Sequence, residues 1–254
     1  MDNNRLQGKT AAITGGASGI GKEIANLFSK HGAKIALIDL NEENLNAVKS
    51  EIGNNVEVLP ANITNEENVK DTFAQIESKF GGLNILVNCA GIYTEGNVTN
   101  TTYENWRKIL DVNLNGAFLC GKYAIDLMIK TNSQGSIVNI SSECGINALE
   151  SQVAYNVSKA ALISLSNCMA VDYALNNIRV NCVCPGRVLT PLVQHIIDTS
   201  PNPKETFDKL SHDRPMMRMG SPVDIANACL HFADDSMPYA TGAVLSVDGG
   251  ATAR

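Results

Sequence analysis

The run Thr10-Ala11-Ala12-Ile13-Thr14-Gly15-Gly16-Ala17-Ser18-Gly19-Ile20-Gly21, followed by Lys22-Glu23-Ile24-Ala25-Asn26-Leu27-Phe28, decides the fold. Thr10 to Ile13 is short and apolar and reads as a strand. Ile20 to Lys30 carries Ile24, Leu27 and Phe28 at helical spacing and reads as a helix. Between them Gly15, Gly19 and Gly21 lack side chains, so the chain can turn tightly and the helix can start against the strand. Backbone N–H groups from Gly15 through Ser18, Gly19, Ile20 and Gly21, with the positive helix end, then face a pyrophosphate. A glycine-rich turn alone is weak evidence, and its competing reading is purely structural. Its place between a strand and a helix near the N-terminus gives it meaning.

Outward from this turn the pattern repeats. Further strands read over Lys34–Ile38, Val56–Leu59, Asn84–Val87, Ser136–Ile140, Arg179–Val183 and Ala243–Val247. Helical patterns fill the gaps at Glu42–Glu51, Glu66–Lys79, Tyr103–Ile129 (broken softly near Asn113 to Gly116), Ala154–Leu175 and Pro222–Ala233. Ser221 caps the last of these, with proline at its first position. A polar, proline-bearing stretch at about 187–219 reads as helical pieces over a site. Alternating strands and helices imply right-handed βαβ units. The expected fold is α/β: a single doubly wound Rossmann domain over 1–254, with a parallel seven-stranded sheet and helices on both faces.

Composition narrows the function classes. The chain has 254 residues, 44% hydrophobic and 18% charged, enough to build a core. A net charge of −6 argues against nucleic acid, which needs a basic face. Its apolar runs fall far short of the roughly 20 residues that span a bilayer. No apolar stretch follows Met1-Asp2-Asn3-Asn4-Arg5, so no signal peptide is expected and the cytoplasm is the expected home. The seven cysteines show no CxxC pair and read as buried free thiols, with no metal site. Five Asn-x-Ser/Thr sequons, beginning at Asn62, Asn97, Asn100, Asn139 and Asn156, read as chance.

Asp39 ends the second strand. A carboxylate there can accept both hydroxyls of an adenosine ribose, whereas a 2′-phosphate would meet charge repulsion. Gly16, Ala17 and Leu40 supply no cation, although Lys22 is close in sequence. The expected cofactor is NAD (NAD+/NADH). An ordinary strand-end acid is the competing reading of Asp39.

Tyr155-Asn156-Val157-Ser158-Lys159 places a phenol and an ammonium one helical turn apart. A free tyrosine, with a pKa of about 10, is a poor base near neutrality. A neighbouring ammonium stabilises the phenolate and is expected to draw that pKa down. Such a pair is usually a solvated helix face, so its meaning rests on its surroundings. Ser142 lies just past strand five, at the carboxyl edge where open α/β sheets bind ligands.

Together these residues resemble the short-chain dehydrogenase/reductase family over nearly the whole chain. Thr14 to Gly21 matches its glycine motif, Asn88-Cys89-Ala90-Gly91 its Asn-x-Ala-Gly segment, and Asn113 its mid-helix asparagine. Ser142, Tyr155 and Lys159 match its catalytic trio, Pro185-Gly186 the turn after strand six, and Val247-Asp248-Gly249-Gly250 the closing strand. The resemblance implies Tyr155 as general acid or base, Lys159 as its tuner and a ribose ligand, and Ser142 polarising the carbonyl. It implies that Asn113 holds a water linking Lys159 to solvent, and that Thr190 contacts the nicotinamide carboxamide. Asn88, Ala90, Gly91, Pro185, Gly186 and Val188 then join the cofactor site. Asn62-Ile63 departs from the usual Asp-hydrophobic pair at the adenine.

Cys144, Gln152 and Arg187 are the candidate substrate contacts, with Ser142. Arg187 stands where a small or apolar residue is usual and either pairs with an anionic substrate or turns to solvent or bonds a loop carbonyl. The reading is a dehydrogenase interconverting a small-molecule secondary alcohol (a hydroxy acid, polyol or similar) and its ketone. The alternatives are a 3-oxoacyl thioester reductase and a catalytically silent NAD-sensing protein. The resemblance also implies a homo-oligomer, a tetramer before a dimer, joined through the helices at Tyr103–Ile129 and Ala154–Leu175.

Overall fold

The computed structural model describes residues 4–53 and 55–253, so Met1 to Asn3, on which the signal-peptide reading partly rests, lie outside the described residues. The strands are β1 (Thr10–Thr14), β2 (Lys34–Asp39), β3 (Val56–Pro60), β4 (Ile85–Asn88), β5 (Gly135–Ile140), β6 (Ile178–Pro185) and β7 (Val244–Val247). The helices are α1 (Gly19–Lys30), α2 (Glu42–Ile52), α3 (Glu66–Phe80), α4 (Tyr103–Leu110), α5 (Gly116–Lys130), α6 (Val153–Asp172), α7 (Pro191–Asp198), α8 (Pro203–His212) and α9 (Pro222–Ala233). All strand pairings are parallel, in the order β3-β2-β1-β4-β5-β6-β7.

Alternation within the strands explains the two helical layers. Ala11 and Ile13 of β1, Ile35 and Leu37 of β2, and Ile85 and Val87 of β4 join Ile24, Phe28, Leu45, Ile225 and Leu230 from α1, α2 and α9. Their neighbours Ala12, Ala36, Ile38 and Leu86 point the other way, onto Val69, Phe73, Ala124, Met128 and Met169 from α3, α5 and α6. A strand buried on both faces carries apolar residues throughout, which is why these runs are nearly continuous. Each fully buried Ile, Leu or Phe contributes about 1.5–3 kcal/mol.

Helix starts follow the side chains that can satisfy orphan N–H groups. Asn41, Asn65, Thr102, Thr190 and Asn202 each accept a backbone N–H three residues on, and Ser221 with Asp224 forms a capping box on α9. Between α4 and α5 the soft break is a π-helical turn, Asp111–Asn115. The helix expected to reach Leu175 ends at Asp172, and Asn177 turns left-handed (φ 57) to lead into β6. The 187–219 stretch holds α7 and α8, each beginning with proline.

Strand order reverses between β1 and β4, which opens a crevice at their carboxyl ends. Thr14 pairs with Asn88 there, and its hydroxyl oxygen accepts the N–H groups of Cys89 (3.1 Å) and Ala90 (3.2 Å).

Candidate active site

A cleft of ≈ 550 Å³ follows this edge, from Asp39, Asn62 and Ile63 past Gly15 to Gly21 and on to Ser142, Tyr155, Lys159 and Arg187. Ala90, Gly91, Cys144, Gln152, Pro185, Gly186, Val188 and Thr190 also line it. Of the residues singled out from sequence, Asn88 and Asn113 are not among the lining. Asn88 lies beneath, donating to Asn139 Oδ1 (2.8 Å) and the Ala117 carbonyl (3.3 Å). Asn139 donates in turn to Ser166 Oγ (2.8 Å). This chain of amides ties β4 and β5 to α5 and α6, so Asn88 supports the cleft floor.

The glycine loop is built by close approach. A Cβ on Gly15, whose φ is +68°, would sit 2.8 Å from Ala90 Cα, and one on Gly21 would sit 2.2 Å from the Gly15 carbonyl oxygen. Ser18 caps α1 through its backbone alone, which leaves its hydroxyl for the cleft. The Asp39 carboxylate accepts N–H groups from Ala17 (3.3 Å) and Asn41 (3.2 Å), which fix its direction. Lys22, the nearby cation, is paired with Glu51 at 2.7 Å. The Asn62 carboxamide oxygen is engaged by Thr64, so its NH₂ is what it offers the cleft. Helix end, glycines and acid together fit a dinucleotide.

At the other end, two ties lock β5 to α6. Ser141 Oγ donates to the Lys159 carbonyl (2.8 Å), and a Cβ on Gly145 would come 2.8 Å from the same backbone. Ser142 heads the single turn Glu143–Gly145, and its Oγ accepts the Cys144 N–H (3.2 Å). Tyr155 packs edge-on against Tyr93, with ring centres 5.5 Å apart at 80°. The buried Lys159 Nζ donates to the Ile140 carbonyl (2.9 Å) and lies 5.6 Å from the Tyr155 ring centre. Ser142, Tyr155 and Lys159 are therefore brought together.

The electrostatics differ from expectation. Burial pushes the Tyr155 phenol well above its ordinary value, reinforced by Cys144 and opposed by a Ser142 hydrogen bond. Burial also lowers the Lys159 ammonium. Among the chain's own groups, desolvation outweighs the expected pull of the ammonium on the phenol.

Asn113 sits on the π-helical turn, and such turns frequently occur at functional sites. Its Nδ2 donates to the Ile92 carbonyl (3.0 Å) and Ser158 Oγ (3.1 Å), and its Oδ1 accepts the Ile92 N–H (2.8 Å). Asn113 therefore clamps the loop after β4 to α6, and one lone pair of Oδ1 remains for a further donor.

Sequence reading singled out Arg187 but not the charged partners that surround it at the Ser142 end of the cleft. Arg187 Nε donates to Asp213 (2.9 Å), and Asp213 also accepts from Arg214 Nε (2.8 Å). Arg214, 3% exposed, reaches Glu143, 5% exposed, at 3.2 and 3.4 Å. Glu143 directly follows Ser142, but its partner lies far along the chain, so no local signal marks either. Tyr93 was also missed, although an aromatic two residues past Gly91 was a visible cue. Thr190 caps α7, its hydroxyl oxygen accepting the Val193 N–H (3.4 Å).

The chain matches the family described as enoyl-(acyl carrier protein) reductase over residues 15–252. It is 35% identical to the 3-oxoacyl-[acyl-carrier-protein] reductase FabG of Thermotoga maritima, over 97% of this chain and 98% of that one. It is 36% identical to the 2,5-dichloro-2,5-cyclohexadiene-1,4-diol dehydrogenase LinX of Sphingobium indicum, over 97% of each. A crystal structure of a short-chain type dehydrogenase/reductase from Mycobacterium marinum superposes with a TM-score of 0.92 at 31% identity, covering 100% of this chain and 99% of that one.

Proposed function

The chain belongs to the short-chain dehydrogenase/reductase family, and from that premise we propose that it is an NAD(H)-dependent oxidoreductase interconverting a secondary alcohol and its ketone. The observation that carries this reading is one continuous cleft, with Asp39 at one end and Ser142, Tyr155 and Lys159 at the other. NAD is favoured over NADP because Asp39 repels a 2′-phosphate and Lys22 is held by Glu51.

A nicotinamide dinucleotide held along this cleft would supply or accept the hydride. In reduction the Tyr155 hydroxyl gives its proton to the substrate oxygen, a role suited to a phenol kept protonated by burial. In oxidation it must take that proton, and Lys159 is the cation placed to stabilise the phenolate. Ser142 donates to the substrate oxygen, meeting the charge that develops there. Asn113 keeps the loop after β4 seated, and its remaining lone pair suits a bridging water toward Lys159.

A second reading, reduction of a 3-oxoacyl thioester, is favoured by the likeness to FabG. Steady-state turnover of hydroxy acids, polyols and cyclic alcohols with NAD+ and NADP+, beside a 3-oxoacyl thioester with NADH and NADPH, separates the two. Alcohol turnover preferring NAD+ supports the first reading, and thioester reduction preferring NADPH overturns it.

We place the protein in the cytoplasm, where its thiols stay reduced; none is in a disulfide among the described residues, although Cys168 is exposed. No helix among those residues is long and apolar enough to cross a membrane. A homo-oligomer, a tetramer before a dimer, is supported by exposed apolar side chains on α5 (Phe118, Ile129) and α6 (Val157, Val171).

A further inference from the structure

The substrate end of the cleft carries several charges, and their arrangement bears on what it can hold. Arg187 is the cation there that could greet an anionic substrate, and its Nε is committed to Asp213. Asp213 is itself shared with Arg214, whose guanidinium continues to Glu143 and to the Asp248 carbonyl (3.4 Å). The sequence of charges along this chain is plus, minus, plus, minus. It sums to zero. Burial raises the Glu143 carboxyl, and Arg214 draws it back.

Among the described residues lining the cleft, the other charged groups at this end add no cation for a ligand. Lys159 Nζ is buried against the Ile140 carbonyl and the Tyr155 ring, and the exposed Glu95 at the mouth is acidic. The walls around them are apolar, formed by Leu149, Leu192, Ile196 and Leu210. A carboxylate entering here would lose water, meet hydrocarbon, and find in Arg187 a guanidinium whose charge Asp213 already offsets.

We propose that this site selects an uncharged alcohol or ketone over a carboxylate-bearing one, and that Asp213 sets the preference by offsetting the charge of Arg187. The inference rests on the oxidoreductase reading for the reaction, but the selection of charge stands on the pocket alone. It replaces the sequence-based expectation of an anion at Arg187 with an ion pair internal to the protein.

Matched probes test it: 3-hydroxybutyrate against 3-hydroxybutyramide, and 4-hydroxycyclohexanecarboxylate against its carboxamide, which differ in charge at nearly equal size. With the full chain and NAD+, each amide is expected to have a kcat/KM at least tenfold above its acid. In Asp213→Asn, where Arg187 loses its counter-charge while Arg214 keeps Glu143, that ratio is expected to fall by tenfold or more. Equal use of acid and amide by the wild type, or an unmoved ratio in the folded variant, overturns the proposal.

Binding separates this from failure of the reaction itself. The four probes are titrated onto the NADH complex and their dissociation constants are read from nicotinamide fluorescence. Tighter binding of the amides without turnover leaves the charge selection standing and removes the proposed reaction. Tighter binding of the acids removes the charge selection whatever the turnover.

Discussion

Lys159 Nζ lies 5.6 Å from the centre of the Tyr155 ring while donating a 2.9 Å hydrogen bond to the Ile140 carbonyl. The ammonium is thus held beneath the phenol by strand β5, and burial keeps that phenol above its ordinary value. The sign of the pH dependence follows. A phenol with a raised pKa is protonated at neutrality, so it serves at once as an acid but must ionise to serve as a base. Alcohol oxidation should therefore rise with pH, with a slope of about one in log(kcat/KM), while ketone reduction stays flat through neutrality. Oxidation that is flat from about pH 6 to 9 contradicts this ordering.

Asp39 should set the choice of dinucleotide. Its carboxylate is oriented by the Ala17 and Asn41 N–H groups, and Lys22, just after the glycine loop, is paired with Glu51. In Asp39→Ala the NAD+ to NADP+ ratio of kcat/KM is expected to drop by roughly tenfold or more, about 1.4 kcal/mol per factor of ten. Dissociation constants for both dinucleotides, measured by fluorescence titration, check it. An unchanged ratio means the ribose is bound elsewhere.

Gly21→Ala should destabilise the fold as well as the cleft. The added Cβ falls 2.2 Å from the Gly15 carbonyl oxygen, a backbone atom that cannot swing aside. Overpacking of this kind costs roughly 1–3 kcal/mol. In a chain of this size each kcal/mol lowers Tm by about 2–4 °C, which calorimetry resolves.

Asn113→Ala removes three hydrogen bonds at once and leaves both polar backbone groups of Ile92 without their side-chain partner. Ile92 is half-buried, so a cost of about 0.5–1.5 kcal/mol is expected for each hydrogen bond lost. A lowered urea midpoint at unchanged m-value is the expected signature. Retained stability would mean that the loop after β4 is held by other contacts.

The sheet was legible in the sequence because each strand must bury both faces. Ala11-Ala12-Ile13 and Ile35-Ala36-Leu37-Ile38 have no polar residue to offer water. The break at Asn113 was legible as Asn and Gly in an apolar helix, though not as a π-helical turn, which closes through the Gly116 N–H to the Asp111 carbonyl. What could not be read was pairing over distance. Arg187 was visible as an unusual cation, but Asp213 reaches it through the placement of α8, and Arg214 meets Glu143 only once β5 and that segment are packed. Tyr155 and Lys159 were legible as a pair by spacing. The balance of burial against charge at that pair is set by neighbours from β4, β5 and β6.

Tyr155→Phe is the most direct test of the central claim that this phenol moves the proton. Phenylalanine keeps the ring that packs against Tyr93 and removes only the hydroxyl. With a saturating alcohol, the rate of NADH formation from NAD+ should fall by about 10²–10⁴-fold while the NADH dissociation constant stays within twofold. A variant that binds NADH normally and turns over at the wild-type rate contradicts the account.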